Sequence, residues 1–280
     1  MAVEIETVLV PVDGTSEAER AVEYAVAVAQ RYDAGVHVLH VVGESVEDLV
    51  AAVEASGGRT RVGEPARVVA ADPDVIVAVG ESRTFAVARE RPSCPLLPVD
   101  AGRGLRSVPA DGAVAAVDAL LSDGWTTERH PLVRVEYDGE TVARALTDVT
   151  LVTAEAARIS EFSVTARGDH VGQFRADGVV VATPAGTAGY AHRVGTPIAA
   201  AGTGIVTVAP IAPFATNPDH WIVGDDRVRL TVERDEAEVR LFADDRGIGA
   251  VAVDEPVTLT TDRSITLAVL DQSRPRFPRS

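Results

Sequence analysis

The chain has 280 residues, of which 46% are hydrophobic and 24% charged, so a disordered polypeptide is excluded and two packed domains are expected. Its 42 acidic and 26 basic residues give a net charge of -16, and every basic residue is arginine because the sequence contains no lysine. This balance is typical of proteins from salt-loving organisms, and it argues against nucleic acid as a partner because a phosphate backbone needs a basic face.

The first part of the chain alternates predicted strands and helices. Apolar runs that end at turn residues predict strands at 7–14, 35–42, 74–80 and 94–100. Helical patterns between and after them predict helices at 16–32, 45–56, 85–90 and 109–124. Such alternation predicts a doubly wound parallel sheet that binds ligands beyond the carboxyl ends of its strands. Asp13, Glu81 and Asp100 occupy loops at those ends.

From about Trp125 onward, short segments alternate apolar and polar residues, which predicts antiparallel sheets arranged as a β-sandwich-like domain. These segments are 130–139, 140–153, 161–169, 178–184, 204–215, 227–235, 237–245, 256–261 and 264–270. The fold class is therefore α/β plus all-β. We expect an α/β domain over residues 1–124, a β-rich domain over 125–262, and a C-terminal segment over 263–280 that packs back on the first domain.

Several classes of site are disfavoured by composition. The single cysteine, Cys94, excludes an intramolecular disulfide and is expected to be a small buried apolar residue. The six histidines lack zinc-ligand spacing, so no metal site built from side chains is predicted. The acidic N-terminus does not resemble a signal peptide, and the uncharged run at 194–218 contains too many glycines and prolines for a membrane span. A cytoplasmic location is expected.

The most informative segment is residues 177–198, DGVVVATPAGTAGYAHRVGTPI, in which an apolar strand runs into a glycine-rich turn. Gly186 and Gly189 would let the backbone approach a ligand, Thr187 offers a hydroxyl, and Tyr190 offers an aromatic face for a nucleobase. On these residues alone, an ordinary turn with Tyr190 packed against its neighbours is the simpler interpretation.

This segment strongly resembles the signature of the NAD kinase family. The matching residues are Asp177, Gly178, Thr183, Pro184, Gly186, Tyr190, Gly195, Pro197 and Ile198. Thr187 stands where the family has serine, whereas Ala185, Ala188 and Gly189 depart from its pattern. Downstream, LFADDRG at 241–247 resembles the family's strand that leads into Asp-Gly-Gln.

The resemblance implies an NAD kinase-like fold and the ATP-dependent phosphorylation of the 2′-hydroxyl of NAD, with Mg²⁺ as cofactor. It also implies a homo-oligomer formed through the β domain, with a dinucleotide and a nucleoside triphosphate as small-molecule partners. The NAD-binding residues that it implies are Thr147, Asp148, Asp177, Thr183, Pro184, Gly186, Thr187, Ala188 and Tyr190.

Residues 80–84, GESRT, stand where the family has Gly-Gly-Asp-Gly-Thr, and only the first and last match. Ser82 replaces the aspartate that the family uses as base, and a serine cannot accept the hydroxyl proton near neutral pH. Arg83 adds bulk, although a guanidinium can pair with phosphate. The phosphate- or ATP-binding residues implied here are Gly80, Ser82, Arg83, Thr84 and Gly102.

Two further motifs differ from the family pattern. Thr147-Asp148 stands for the family's Asn-Glu, and in DAGRGLR at 100–106 Asp100 replaces asparagine. The catalytic base is therefore unknown, and Glu81, Asp100 and Asp148 are the candidates. Arg103 and Arg106 would either contact phosphate or remain solvated surface arginines.

A second resemblance concerns residues 8–42, which are similar to the opening of the universal stress protein family, where the position of Asp13 lies near ATP. Three hypotheses follow. The chain is an active NAD kinase, a catalytically impaired relative that binds NAD, NADP or ATP as a sensor or regulatory protein, or a stress-protein-like ATP-binding module with an added β domain.

Overall fold

A computed structural model describes residues 8–10, 37–38, 46–121, 124–155 and 158–277. Asp13 and the helix predicted at 16–32 lie outside these residues. The chain divides into two units. Unit 1 consists of Met1–Arg129 and Ile265–Ser280, and unit 2 consists of His130–Ser264.

The described strands in the N-terminal part of unit 1 are β1 (Val8–Val10), β2 (His37–Val38), β3 (Thr60–Val62), β4 (Val75–Val79) and β5 (Leu96–Val99). β4 runs parallel to β1, β2 and β5, and β1 runs parallel to β3. One antiparallel pair, Val10 with Val38, departs from the predicted parallel pattern. The parallel register of β4 and β5 confirms the arrangement predicted for 74–80 and 94–100, so both strands end at the same edge.

The described helices of unit 1 are α1 (Val46–Ala55), α2 (Pro65–Val69), α3 (Glu81–Glu90) and α4 (Ala113–Leu120), the last preceded by a 3₁₀ turn at Ala110–Gly112. The prediction for α3 was wrong at its start, because the helix begins at Glu81 rather than at Phe85. Gly80, with φ 88° and ψ 154°, makes this early start possible, since only glycine adopts that conformation without strain.

The rest of the chain is mostly antiparallel. Its strands are β6 (Thr126–Tyr137), β7 (Glu140–Ala145), β8 (Asp148–Thr153), β9 (Ser160–Ala166), β10 (Asp169–Ala182), β11 (Ile205–Pro213), β12 (Trp221–Gly224), β13 (Val228–Arg234), β14 (Val239–Ala243), β15 (Arg246–Val251) and β16 (Val257–Val269). The central strand β10 pairs antiparallel with β8, β9 and β11. In β13, Val228, Leu230 and Val232 are buried, as period-two alternation requires. Phe162, also fully buried, belongs to the same core.

Four strand predictions need correction. The segment predicted at 178–184 begins nine residues earlier, at Asp169, as part of β10. The segment predicted at 140–153 is broken at Leu146 and Thr147 into β7 and β8. The segments at 256–261 and 264–270 form one strand, β16, whose residue Leu267 pairs parallel with Leu96 of β5 inside unit 1. β3, β12 and β15 were not predicted, because strands of three or four residues and a glycine-containing strand carry little alternation.

The predicted fold class is confirmed, with a parallel α/β arrangement in unit 1 and antiparallel strands in unit 2. No helix in the described parts of the chain is long and apolar enough to cross a membrane.

Cys94 provides a first test of the packing of unit 1. Its side chain is 8% exposed, and burial raises the pKa of its thiol to about 12. Because only the thiolate reacts, we expect alkylation by iodoacetamide at pH 8 to be about 10³-fold slower in the folded protein than in denaturant. Mass spectrometry of timed samples measures this ratio, and equal rates in the two states would show that this region is not packed as described.

Candidate functional site

A turn at Leu146 and Thr147 separates β7 from β8, which begins at Asp148. A single carboxylate holds this turn and the start of β8. Asp244, at the end of β14, accepts hydrogen bonds from the backbone N–H groups of Leu146 at 2.9 Å and Thr147 at 2.7 Å. It also accepts the Thr147 hydroxyl at 2.8 Å and the Asp148 N–H at 3.3 Å. Burial raises the pKa of Asp244, and these donors oppose that shift by stabilising the charged form. The carboxylate therefore fixes the backbone of the Thr147–Asp148 motif.

The Thr183–Tyr190 segment packs directly against this turn. The Thr183 N–H donates to Thr147 O at 2.8 Å, and the Thr183 hydroxyl donates to Leu146 O at 2.6 Å. A side-chain carbon at Gly186 would lie 2.1 Å from Thr147 O, so only glycine fits at this crossing. The structure thus brings together two motifs that lie about 40 residues apart in the sequence.

Thr187 performs a different task from the one expected. Its hydroxyl is buried, donates to Pro184 O at 2.8 Å and accepts the Ala199 N–H at 3.0 Å. These bonds use its donor and one acceptor position within the protein, so Thr187 shapes the loop instead of presenting a hydroxyl to solvent. The half-buried Ala188 completes the 3₁₀ turn Gly186–Ala188.

Tyr190 and Asp148 are the more accessible polar groups of this site. Tyr190 begins the short helix α5 (Tyr190–Arg193) and is 40% exposed, whereas Asp148 is half-buried. Burial and, secondarily, the Asp148 carboxylate raise the pKa of the Tyr190 hydroxyl. An aromatic ring beside a carboxylate suits a nucleoside, whose base stacks and whose ribose hydroxyls donate hydrogen bonds. We refer to Thr147, Asp148 and Thr183–Tyr190 together as the unit 2 site.

Asp177 does not join this group. It lies in β10 with its carbonyl accepting the Thr153 hydroxyl at 3.1 Å, whereas Asp148 pairs with Ala182 farther along the same strand. Five residues of strand separate Asp177 from Ala182, which corresponds to about 16 Å. Its assignment to dinucleotide binding therefore stays a prediction.

In unit 1, the GESRT residues form the first turn of α3 and not an open loop. Thr84 is buried, and its hydroxyl donates to Gly80 O at 2.9 Å, so it closes the helix start. Glu81 and Ser82 are exposed and Arg83 is half-buried. A helix start favours anions, but the Glu81 carboxylate already places a negative charge there.

The turn after β5 lies beside this helix start. A side-chain carbon at Gly102, which has φ 81°, would lie 3.9 Å from Glu81 Oε1, so the Glu81 side chain faces the turn. Asp100, with φ 47°, forms an ion pair at 3.3 Å with Arg274. Glu81 and Asp100 therefore lie at the carboxyl ends of β4 and β5, as predicted, with Gly102 close to the Glu81 side chain.

The C-terminal segment of unit 1 contributes residues that the sequence did not single out. Arg276 is 5% exposed, donates to Gly104 O at 2.7 Å and pairs with Glu128. Arg106 also pairs with Glu128, at 3.8 Å. These contacts hold the 100–107 turn in place. Arg106 is half-buried and Arg103 is exposed, and a contact of either with phosphate stays a prediction. Within the described residues, no group of three or more His, Cys, Asp or Glu is arranged to hold a metal ion.

Comparison with known proteins decides the family. The ATP-NAD kinase C-terminal domain model matches residues 146–264, which include the whole unit 2 site. The NAD kinase of Nitratidesulfovibrio vulgaris (strain DP4) is 30% identical over 206 residues, which cover 70% of this chain and 69% of that protein. The chain belongs to the NAD kinase family. Residues 4–92 also match the universal stress protein family, so that resemblance is confirmed as well.

Other members of the NAD kinase family extend this comparison. Three Methanosarcina NAD kinases are 27–29% identical, and the chain spans 60–70% of their length. An NAD kinase from Archaeoglobus fulgidus in complex with ATP superposes with a TM-score of 0.68 at 20% identity, covering 85% of this chain and 94% of that one. Yeast NADH kinase complexed with NADH gives 0.67 at 15% identity, covering 95% and 84%. The two structures establish an NAD kinase-like fold.

Asp244 is the main site residue that sequence reasoning missed. The resemblance of residues 241–247 to the family's strand and Asp-Gly-Gln pattern was the signal available. It did not reveal that the carboxylate binds a turn almost 100 residues earlier in the chain.

Proposed function

We propose that the chain binds NAD at the unit 2 site and phosphorylates its 2′-hydroxyl with ATP to give NADP. This proposal rests on the close packing of the Thr147–Asp148 motif against the Thr183–Tyr190 segment, through the two Thr183 hydrogen bonds and the close approach at Gly186. Two separate family motifs converge there around an accessible ring and a carboxylate. The yeast kinase bound to NADH and the Archaeoglobus kinase bound to ATP support the two ligand classes.

Two side chains of the unit 2 site would contact NAD directly, and the other residues would shape the binding surface. Tyr190 would stack on a base, and Asp148 would accept a hydrogen bond from a ribose hydroxyl. The remaining members shape the binding surface through backbone contacts, and they are Thr147, Thr183, Pro184, Gly186, Thr187 and Ala188.

ATP would lie at the start of α3, where Gly80, Ser82, Arg83, Thr84 and Gly102 were predicted to form its site. The N–H groups of the first helical turn and the Arg83 guanidinium would neutralise phosphate charge. Mg²⁺, bound mainly by the phosphates, would need one or two carboxylates, and Glu81 is the exposed carboxylate at this position. When bound, the metal neutralises charge on the transferred phosphoryl group.

The transfer itself moves the terminal phosphoryl group of ATP to the ribose 2′-oxygen, which gives up its proton to a base. Ser82 cannot accept that proton, which leaves Glu81, Asp100 and Asp148 as candidates. Of these, Asp100 forms an ion pair with Arg274. Positioning and charge neutralisation contribute most of the rate in phosphoryl transfer, so activity does not require the aspartate at position 82. We also propose that unit 2 mediates self-association.

Specific observations favour two other functions. Ser82 in place of the family's aspartate favours a protein that binds NAD, NADP or ATP without turnover. The universal stress protein match, which includes the Gly80–Thr84 turn, favours an ATP-binding module without dinucleotide binding.

One assay separates these functions. NADP formation from NAD, ATP and Mg²⁺ would be measured in molar KCl for the natural protein and for a Ser82→Asp, Arg83→Gly variant. Calorimetric titrations of NAD and ATP would run in parallel. We expect turnover by the natural protein and a rise of about 10² in the variant, because general-base catalysis contributes 10²–10⁴ in rate.

Each alternative predicts a different result. NAD binding without turnover, rescued in the variant, would establish the impaired relative. Binding of ATP but not NAD would establish the stress-protein-like module. Absence of both binding and turnover in a folded protein would contradict all three functions.

A further inference from the structure

Unit 2 contains an open cavity of about 300 Å³ whose lining is rich in arginine. The lining residues are Thr165, Arg167, Gly168, Arg227 and Arg229, and none of them is acidic. This composition stands out in a chain with 42 acidic and 26 basic residues. We call this set of residues the arginine pocket.

The strand register explains why three guanidinium groups converge. β9 and β13 are antiparallel with Thr165 opposite Arg229, and the Arg167 N–H donates to Arg227 O at 3.0 Å. Because side chains alternate between the faces of a sheet, Arg227 and Arg229 share the face that carries Thr165 and Arg167. Like charges directly opposite one another destabilise an antiparallel pair.

Within the described part of the chain, only one of these arginines has its charge compensated by an ion pair. Asp226 binds Arg167 through two contacts of 2.7 Å, which fixes that guanidinium in a bidentate geometry. Arg227 and Arg229 are exposed and form no ion pair with any described residue. The guanidinium groups of Arg227 and Arg229 therefore line the pocket beside that of Arg167, whose orientation Asp226 fixes.

The turn that contributes Gly168 to the pocket lining leaves open space beside it. Gly168 has φ 97° at the turn between β9 and β10, and no atom lies within 4 Å of the position that a side-chain carbon would occupy. The Thr165 hydroxyl adds a neutral hydrogen-bonding group to the same face. Guanidinium forks match the oxygens of phosphate groups, and the volume suits a diphosphate better than a whole dinucleotide.

We propose that the arginine pocket is a binding site for a small phosphate-bearing anion, distinct from the unit 2 site. The two sites lie at opposite ends of the 14-residue strand β10, since Thr165 pairs with His170 and Asp148 pairs with Ala182. The ligand is either an inorganic phosphate compound or the diphosphate of a nucleotide.

Calorimetric titration with inorganic pyrophosphate, at constant ionic strength in KCl, tests the proposal. The natural protein is compared with an Arg227→Ala, Arg229→Ala variant and with Arg240→Ala, an exposed arginine of β14 paired with Glu238 outside the pocket. We expect the double variant to bind at least about tenfold more weakly, whereas Arg240→Ala binds normally. Without pyrophosphate, the double variant should unfold at the same or a higher temperature, because repulsion around Arg167 is relieved.

Two further measurements complete the test. Titration with ADP shows which kind of ligand the pocket binds. If ADP binds more tightly than pyrophosphate and the double variant loses this binding, the ligand is the diphosphate of a nucleotide. Equal pyrophosphate binding in all three proteins would overturn the proposal. A second result would also overturn it: no pyrophosphate binding by the natural protein, together with a different oligomeric state of the double variant in gel filtration. The arginines would then contact an acidic face of a second copy of the chain.

Discussion

Replacement of Asp244 by alanine is expected to lower the free energy of unfolding by about 3 kcal/mol or more and to abolish the proposed NAD binding. The carboxylate accepts bonds from the N–H groups of Leu146, Thr147 and Asp148 and from the Thr147 hydroxyl. Each donor left unsatisfied in a partly buried site costs about 1–3 kcal/mol. Chemical denaturation measures the stability, and titration with NAD measures the binding.

Asparagine at position 244 should give an intermediate result. Three of the four donors contact Oδ1 alone, while the Leu146 N–H is shared between both oxygens. An asparagine carbonyl can replace Oδ1, but its amide group would then face the Leu146 N–H. The matched controls are Asp254→Asn and Asp254→Ala, because Asp254 is exposed and its φ of 63° is positive like the 51° of Asp244. If Asp244→Ala were no more harmful than Asp254→Ala, the turn would not depend on Asp244.

Some parts of the fold could be predicted from the sequence, whereas contacts such as those of Asp244 could not. β4 and β5 could be predicted, because a buried parallel strand is a continuous apolar run bounded by turn residues. The Thr183–Tyr190 segment could be singled out because its pattern resembles the family signature, and its role in NAD binding stays a prediction. Its supporting contacts could not be predicted, since Asp244 binds residues almost 100 positions away and a carboxylate in a polar turn looks like a solvated surface group.

The start of α3 illustrates a second limit. A glycine followed by Glu81, Ser82 and Arg83 is compatible with a loop or with a helical first turn, because acidic residues and serine are common in both. The parallel pairing of β4 with β5 and the Gly80 N–H bond to Val99 O at 2.8 Å fix the direction in which the chain leaves the strand. Long-range pairing therefore decided the conformation.

Replacement of Gly186 by alanine is the second change with a large expected effect. The added carbon would lie 2.1 Å from Thr147 O and 2.7 Å from the Thr147 carbonyl carbon, and both atoms belong to the backbone. The crossing must therefore open, which separates the Thr183–Tyr190 segment from the turn that carries Asp148. Overpacking costs about 1–3 kcal/mol and occasionally more. We expect a loss of stability in this range, and NAD binding at least about tenfold weaker because the two motifs no longer meet.

Gly189→Ala is the matched control, three residues farther along the same loop. Its added carbon would lie 3.3 Å from Gly186 O, and its φ of -104° with ψ of -128° lies outside the regions that L-residues favour. This variant therefore carries a cost of its own, but without the 2.1 Å approach to a backbone oxygen. The comparison isolates the close approach at Gly186 from the general effect of removing a glycine from this loop. If both variants bound NAD equally well, the locked crossing would not organise the site. If only Gly186→Ala lost binding while its fold persisted in circular dichroism, the fit of the two motifs would be the feature that creates the dinucleotide site.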